Sequence, residues 1–99
     1  MTPAPALRTS RRRAGHVVAE GHVQFEGFTP AVIPVDIQFS PTGTGRWCTV
    51  ATVDSAEWDG TGYHFAAAVG HRTPGYWRAS YPGVPDWFQP AVSAAVFVR

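Results

Sequence analysis

The sequence predicts an all-β domain, and two observations support that prediction. Short segments of alternating apolar and polar residues recur along the chain, and turn-forming residues separate them. No long stretch combines a helical apolar period with few glycine, proline and β-branched residues. Regular short strands without helices are typical of a β-sandwich or a β-barrel, so both architectures stay open on this pattern alone.

Six strands are predicted in the chain from residue 15 onward. The clearest spans residues 34–40, where Val35, Ile37 and Phe39 alternate with polar residues, as in a strand with one buried face. In chain order, the predicted strands are residues 17–25, 34–40, 47–53, 63–69, 77–81 and 92–98. Turn-forming residues separate them at 41–45, 59–60, 70–75 and in the proline-rich segment 81–90.

The first 14 residues differ from the rest of the chain. Two early prolines disfavour regular structure, and three consecutive arginines at 11–13 form a basic run. We interpret residues 1–14 as a flexible basic segment or a frayed first strand, with 7–12 as the strand candidate, and residues 15–99 as the domain. No apolar stretch follows the arginines, so no signal peptide is visible.

Composition argues against several classes of function. Eight basic residues against seven acidic ones leave a net charge of +1, so nucleic acid is not an expected partner. No apolar run approaches the roughly 18 residues of a membrane-spanning helix, so no membrane insertion is expected. The single cysteine, Cys48, has no partner in the chain for a disulfide.

No catalytic or metal site is predicted. The chain has neither a Gly-x-Ser-x-Gly elbow nor a phosphate-binding loop, so we do not expect an enzyme. The four histidines lack zinc-ligand spacing with Cys48. The acidic residues Asp54, Glu57 and Asp59 do not follow the spacing of an EF-hand calcium loop. No cofactor is expected for the same reasons.

Aromatic residues are the most informative set, with four Trp, three Tyr and six Phe. Those that fall on predicted strands are expected in the core, and they are Trp47, Phe65, Trp77 and Tyr81. Trp58, Trp87 and Phe88 fall in predicted loops instead. We treat these three as candidate ligand-binding residues, because flat rings stack on apolar faces of partners. The alternative is that Trp87 and Phe88 fold back and close one end of the sandwich.

Four segments together resemble one family. They follow its order along the chain and are residues 13–21, 35–52, 59–65, and 77–83 together with 93–98. Among them are the Gly45–Arg46–Trp47 entry to a Thr/Val-rich strand and the Asp59–Gly60 turn before Tyr63. The chain resembles the Ig-like β-sandwich repeats of secreted and cell-surface proteins in high-GC bacteria. The resemblance implies an Ig-like antiparallel β-sandwich of six to seven strands.

The same resemblance implies a place outside the cell or at its surface, and a non-enzymatic role as an interaction or spacer module. Two alternatives remain open. One is a carbohydrate- or cell-wall-binding module that uses Trp58, Trp87 and Phe88. The other is a small secreted enzyme inhibitor that presents residues 81–90. The expected partner is accordingly a protein or a polysaccharide.

Overall fold

The protein is described by a computed structural model that covers residues 4–13, 15–25, 30, 33–55, 57–58, 60, 62–71 and 73–99. These residues form nine β-strands. In chain order they are β1 (Ala4–Arg13), β2 (His16–Gln24), β3 (Pro34–Ser40), β4 (Cys48–Asp54), β5 (Glu57–Trp58), β6 (Tyr63–Gly70), β7 (Gly75–Tyr81), β8 (Ala91–Val92) and β9 (Val96–Val98). Within the described ranges, no helix has the length and apolar character needed to cross a membrane.

The strands form two antiparallel sheets. The first sheet has the order β1-β2-β6-β5, and the second has the order β4-β3-β7, with β8 and β9 both paired to β7. In an Ig-like sandwich, strands A, B, E and D form one sheet, while C, F and G form the other. Here β1, β2, β6 and β5 take the first four places. Strands β3, β7 and the β8–β9 pair take the others, and β4 lies beside β3. The predicted Ig-like β-sandwich is therefore confirmed.

The number of strands exceeds the predicted six to seven for identifiable reasons. Residues 4–13 form a strand that pairs along β2. The N-terminal segment was interpreted as either flexible or a frayed first strand, and its described part is a strand. Residues 1–3 and 14 of that segment lie outside the described residues. The short strand β5 was predicted as part of a loop, and the last predicted strand is divided into β8 and β9. Asp59 of the predicted turn lies outside the described residues.

The core lies between the two sheets and follows the alternation of the strands. Each of β2, β3 and β7 points every second side chain inward, and the buried set includes Val17, Val23, Val35, Ile37, Phe65, Trp77 and Tyr81. Trp77 and Tyr81 have no exposed surface, and Phe65 has 1%. Burial of these large rings supplies much of the apolar area that stabilises a domain of this size. The core positions predicted for these three aromatics are confirmed.

Trp47 is the exception among the predicted core aromatics. It lies just before β4, is only half-buried, and faces the guanidinium of Arg78 on the outer side of the second sheet. The pairing of β3 with β4 explains why. Ile37 pairs with Ala51 but Gln38 pairs with Thr49, so β4 contains one extra residue, Val50. An extra residue reverses the faces of everything beyond it, which moves Trp47 outward. The core prediction for Trp47 is wrong.

A second reversal divides the last predicted strand. Val92 pairs with the outward residue Ser80 and is half exposed, whereas Val96 pairs with the buried Trp77. Between them, the side-chain oxygen of Ser93 accepts a hydrogen bond of 2.8 Å from the backbone N–H of Ala79. In a regular strand pair, a backbone carbonyl would accept this bond. The valines expected on one face therefore lie on opposite faces.

Candidate functional site

Aromatic rings collect at one end of the sandwich, where β2 and β7 end and β6 begins. Phe25, which follows β2, meets three neighbours edge to face: Tyr81 at 5.5 Å, Phe88 at 5.4 Å and Tyr63 at 6.3 Å between ring centroids. Trp58 extends the set, because its ring lies 5.2 Å from that of Tyr63. We call this end of the molecule, formed by these five rings and the adjoining segment 82–90, the aromatic end.

The strand register places these rings together. Tyr63, the first residue of β6, pairs with Val23 near the end of β2, so Phe25 comes close to it. Tyr81 is the last residue of β7 and points inward from the second sheet. Trp58 pairs with Tyr63 across the edge of the first sheet. Edge-to-face contacts between aromatic rings contribute about 0.5–1.5 kcal/mol beyond the area they bury, so this end is held firmly.

A tight turn shapes the segment after β7. Val84 and Phe88 exchange two backbone hydrogen bonds, each 2.9 Å long, and the Trp87 N–H also donates to the Val84 carbonyl at 3.0 Å. Asp86, at the centre, has a φ of +70°. Proline followed by a residue with positive φ is the pattern of a type II turn, and Pro85 precedes Asp86 here. The turn fixes the direction of Trp87.

Gly83 anchors this turn to the strand that precedes it. Its φ is +84°, a conformation that L side chains rarely adopt. A Cβ atom at this position would lie 2.6 Å from the Phe88 carbonyl oxygen and 2.8 Å from the Pro90 nitrogen. Only glycine permits the two ends of the segment to approach so closely.

Phe88 and Trp87, although adjacent, take opposite positions. The ring of Phe88 packs against the core beside Phe25, whereas the side chain of Trp87 is 70% exposed. Next to Trp87, the segment 82–90 encloses an open groove of about 450 Å³. Its lining is formed by three prolines, Val84, Phe88, Gln89, Trp87 and the carboxylate-bearing Asp86. The groove is therefore mixed in character, with an aromatic wall, apolar prolines and the polar side chains of Asp86 and Gln89.

The three candidate residues from the sequence are thus all at the aromatic end. Trp58 is 61% exposed, but the predicted loop position is wrong because it belongs to the edge strand β5. The alternative prediction was that Phe88 and Trp87 both fold back and close the sandwich. Phe88 does pack against the core, but Trp87 is exposed. A chain of ring contacts runs from Trp58 through Tyr63 and Phe25 to Phe88, the residue that follows Trp87 in the chain.

Tyr81 contributes a buried polar atom to this end. Its ring has no exposed surface, and among the described residues its hydroxyl has no hydrogen-bond partner. Burial removes the ionised phenolate from water, which raises the pKa of Tyr81 above its usual value of 10.0. The phenol therefore stays neutral over the physiological range and acts as a core ring.

In the described part of the chain, no three His, Cys, Asp or Glu side chains come together as a metal-binding group. Asp59, one of the three acidic residues considered for calcium, lies outside that part. Two histidines, His22 and His64, do pair across β2 and β6, and His64 lies 3.9 Å from Glu20. They lie on the outer face of the first sheet.

Comparison with known proteins adds a likeness of fold. No protein-family model and no curated protein matches the chain. The crystal structure of hypothetical protein PH1083 from Pyrococcus horikoshii OT3 is similar, with a TM-score of 0.62 and 15% sequence identity. The similarity covers 97% of this chain and 86% of that protein. At this level of identity the likeness concerns the sandwich architecture alone.

Proposed function

We propose that the protein is a non-enzymatic binding module whose aromatic end holds a neutral polysaccharide. The observation that carries the proposal is the pair of exposed tryptophans, Trp58 and Trp87, at the same end of the sandwich. Large apolar side chains exposed beside a concave surface are typical of binding sites. Sugar rings present apolar C–H faces that stack on flat aromatic rings.

The groove supplies the polar part of such a site. The Asp86 carboxylate lines it and accepts hydrogen bonds, which suits the hydroxyl groups of a sugar. Its negative charge disfavours a ligand that carries carboxylates of its own. The backbone hydrogen bonds of the turn fix the backbone at Trp87 before the ligand arrives, so little backbone entropy is lost on binding. These features favour a neutral ligand over an acidic one.

Location outside the cell or at its surface belongs to the same proposal. It rests on the resemblance of the sequence to Ig-like repeats of secreted proteins. Structural polysaccharides are also found outside the cytoplasm, so the ligand class and the location agree with each other.

Co-sedimentation with insoluble cellulose, chitin, mannan and xylan, and with isolated cell walls, tests the proposal. The folded protein should bind at least one neutral polymer, and Trp87→Ala should weaken that binding by about tenfold or more. Trp58→Ala should weaken it by a smaller factor. Phe97→Ala is the matched control, because Phe97 is also exposed (53%) but lies on the outer face of the second sheet. Retention of binding in Trp87→Ala would contradict the site.

One observation favours a second candidate, the enzyme inhibitor. Backbone hydrogen bonds between Val84 and Phe88 close the turn, and Trp87 extends from it into solvent. An inhibitor loop that enters an enzyme cleft presents a side chain in the same way. Inhibition of a secreted hydrolase by the wild type and not by Trp87→Ala, without polysaccharide binding, would support it. Absence of both activities would favour the spacer role.

A further inference from the structure

The outer face of the second sheet holds a set of interacting side chains that is separate from the aromatic end. Arg78, on β7, lies flat on Trp47, with its guanidinium carbon 4.3 Å from the ring centroid. Its Nε donates a hydrogen bond of 2.7 Å to the side-chain oxygen of Gln38 on β3. The Gln38 amide nitrogen in turn donates to the Thr49 hydroxyl on β4, at 3.3 Å. Neighbours from two other parts of the sheet therefore hold the guanidinium in one orientation.

No carboxylate of the described residues forms an ion pair with Arg78. The ion pairs found there join Arg8 and His64 to Glu20, all on the first sheet. Asp36, two residues from Gln38 on the same face of β3, accepts a hydrogen bond of 2.7 Å from the Thr52 hydroxyl. A half-buried cation is thus oriented by a ring and an amide, but no carboxylate of the described residues lies within 4 Å of it.

We propose that Arg78, Trp47 and Gln38 form a second binding site, which takes a carboxylate of an acidic polysaccharide. The planar guanidinium can donate two parallel hydrogen bonds to a carboxylate. Gln38 accepts from Nε only, so the two terminal nitrogens of Arg78 can donate to a ligand. Because the side chain is already oriented, binding a carboxylate costs little of the entropy that an exposed arginine would lose.

The strands underneath favour a polysaccharide over a peptide. Both β3 and β7 are central strands, so their backbone groups already bond to neighbouring strands, and an added peptide strand would find no edge here. Around the guanidinium, this face offers the hydroxyls of Thr49, Thr52 and Ser80, and the carboxylate of Asp36, which already accepts a hydrogen bond from Thr52. Such groups exchange hydrogen bonds with ligand hydroxyls, as a chain of acidic sugars would offer.

The test uses polygalacturonate, a polymer of acidic sugars, and its fully methyl-esterified form, which lacks the charge. The neutral ester is also a candidate ligand of the aromatic end, so the titrations use Trp87→Ala protein. We expect this protein to bind the acid form in calorimetry and the ester about tenfold more weakly or not at all. Arg78→Gln should remove this preference, and Arg78→Lys should weaken binding because it keeps the charge without the fork. Arg8→Gln is the matched control, because it removes the same charge from the exposed Arg8 of the first sheet.

Direct observation of the wild-type protein covers the case in which an Arg78 variant does not fold. The Arg78 Nε–H resonance should shift in an NMR titration with polygalacturonate and stay unchanged with the ester. No binding of the acid polymer, equal binding of its ester, or an equal effect of Arg8→Gln would overturn the proposal. Binding of polyglutamate as tight as that of polygalacturonate would overturn the choice of a polysaccharide.

The two sites are separable by the same set of variants. Trp87→Ala should leave polygalacturonate binding unchanged, and Arg78→Gln should leave binding of neutral polymers unchanged. Failure of one site therefore does not decide the other.

Discussion

The rings of Phe25 and Phe88 meet edge to face, with centroids 5.4 Å apart and planes 85° apart. Phe25 follows β2 of the first sheet, whereas Phe88 belongs to the segment that leaves β7 of the second sheet. Their contact joins the two sheets at the aromatic end. It also fixes the turn that keeps the next side chain, that of Trp87, directed toward solvent.

This contact predicts that alanine substitutions at the adjacent residues Phe88 and Trp87 change the stability of the protein by very different amounts. Phe88→Ala should lower the free energy of unfolding by about 2–3 kcal/mol, because a ring packed on the core is lost. Trp87→Ala should change it by less than about 0.5 kcal/mol, as expected for an exposed side chain. Urea denaturation of both variants measures the difference. Equal losses would show that Trp87 also packs against the domain.

The two tryptophans of the second sheet provide a similar contrast. Trp77 is fully buried, so Trp77→Ala should cost about 3–5 kcal/mol of stability. Trp47 lies on the surface under Arg78, so Trp47→Ala should cost only about 1 kcal/mol, from the lost cation–π contact and partial burial. Thermal and chemical denaturation would decide. A loss above about 3 kcal/mol for Trp47→Ala would restore the core position expected from the sequence.

Trp47 also shows where sequence reasoning succeeds and where it fails. Alternation predicted β3 at residues 34–40 with its inner face of Val35, Ile37 and Phe39, because an unbroken strand has a side-chain period of two. The same count placed Trp47 inward. It failed because Val50 is an extra residue, and the sequence around it contains no glycine or proline to mark the bulge.

The candidate site was predictable to a similar extent. Proline and glycine marked the segment 82–90 as a loop, but the sequence did not decide whether Trp87 is exposed or folds back onto the sandwich. The contacts of Phe25 with Phe88 and Tyr63 could not be predicted either, since they depend on which strands pair. Arg78 and Trp47 are 31 positions apart in the chain, and only the folded register brings them together.

Gly21 provides a test of the packing between β1 and β2. A Cβ atom there would overlap the Ala6 carbonyl oxygen and lie 3.0 Å from the Phe65 ring. Gly21→Ala should therefore destabilise the domain by about 1–3 kcal/mol through forced displacement of β1. Gly45→Ala is the control, since a Cβ atom at Gly45 would meet nothing within 4 Å. Equal stability of the two variants in denaturation experiments would contradict the close approach of the Ala6 carbonyl oxygen to Gly21.

Tyr81 predicts a pH dependence at the alkaline end. Because its pKa in the folded protein is raised above 10.0, the unfolded chain loses the phenolic proton first. The contribution of the protonated Tyr81 phenol to the free energy of unfolding is constant below about pH 10. This contribution is lost as the pH rises through the pKa of Tyr81 in the folded protein. Tyr81→Phe should remove this part of the alkaline loss. It should also keep or raise stability at pH 7, because the deleted hydroxyl has no partner among the described residues.

The matching measurement is the difference in unfolding free energy between wild type and Tyr81→Phe at pH 7 and above pH 10. Tyr63 and Tyr76 are present in both proteins, so their ionisation cancels in the difference. A difference that stays constant with pH would show that the phenol is accessible to water in the folded state.

Gly83 predicts a local effect at the groove. Gly83→Ala forces a side chain into a backbone conformation with φ of +84°, against the Phe88 carbonyl. We expect the turn to rearrange, with loss of ligand binding at the aromatic end exceeding the effect on unfolding. Asp86→Gly is a useful companion, since it relieves the positive φ of Asp86 and should preserve the turn. Unchanged amide chemical shifts for residues 84–88 in Gly83→Ala would contradict the close approach.

The strands at the borders of the two sheets have a consequence for behaviour at high concentration. An incoming chain needs several consecutive free backbone donors and acceptors on a border strand as a template for pairing. In the described part of the chain, β5, β8 and β9 have only two or three residues each, and β4 contains a bulge. The longer β1 contains Pro5, which has no backbone N–H to offer to a pairing strand. At high concentration, the described border strands therefore offer few starting points for pairing between the sheets of different copies.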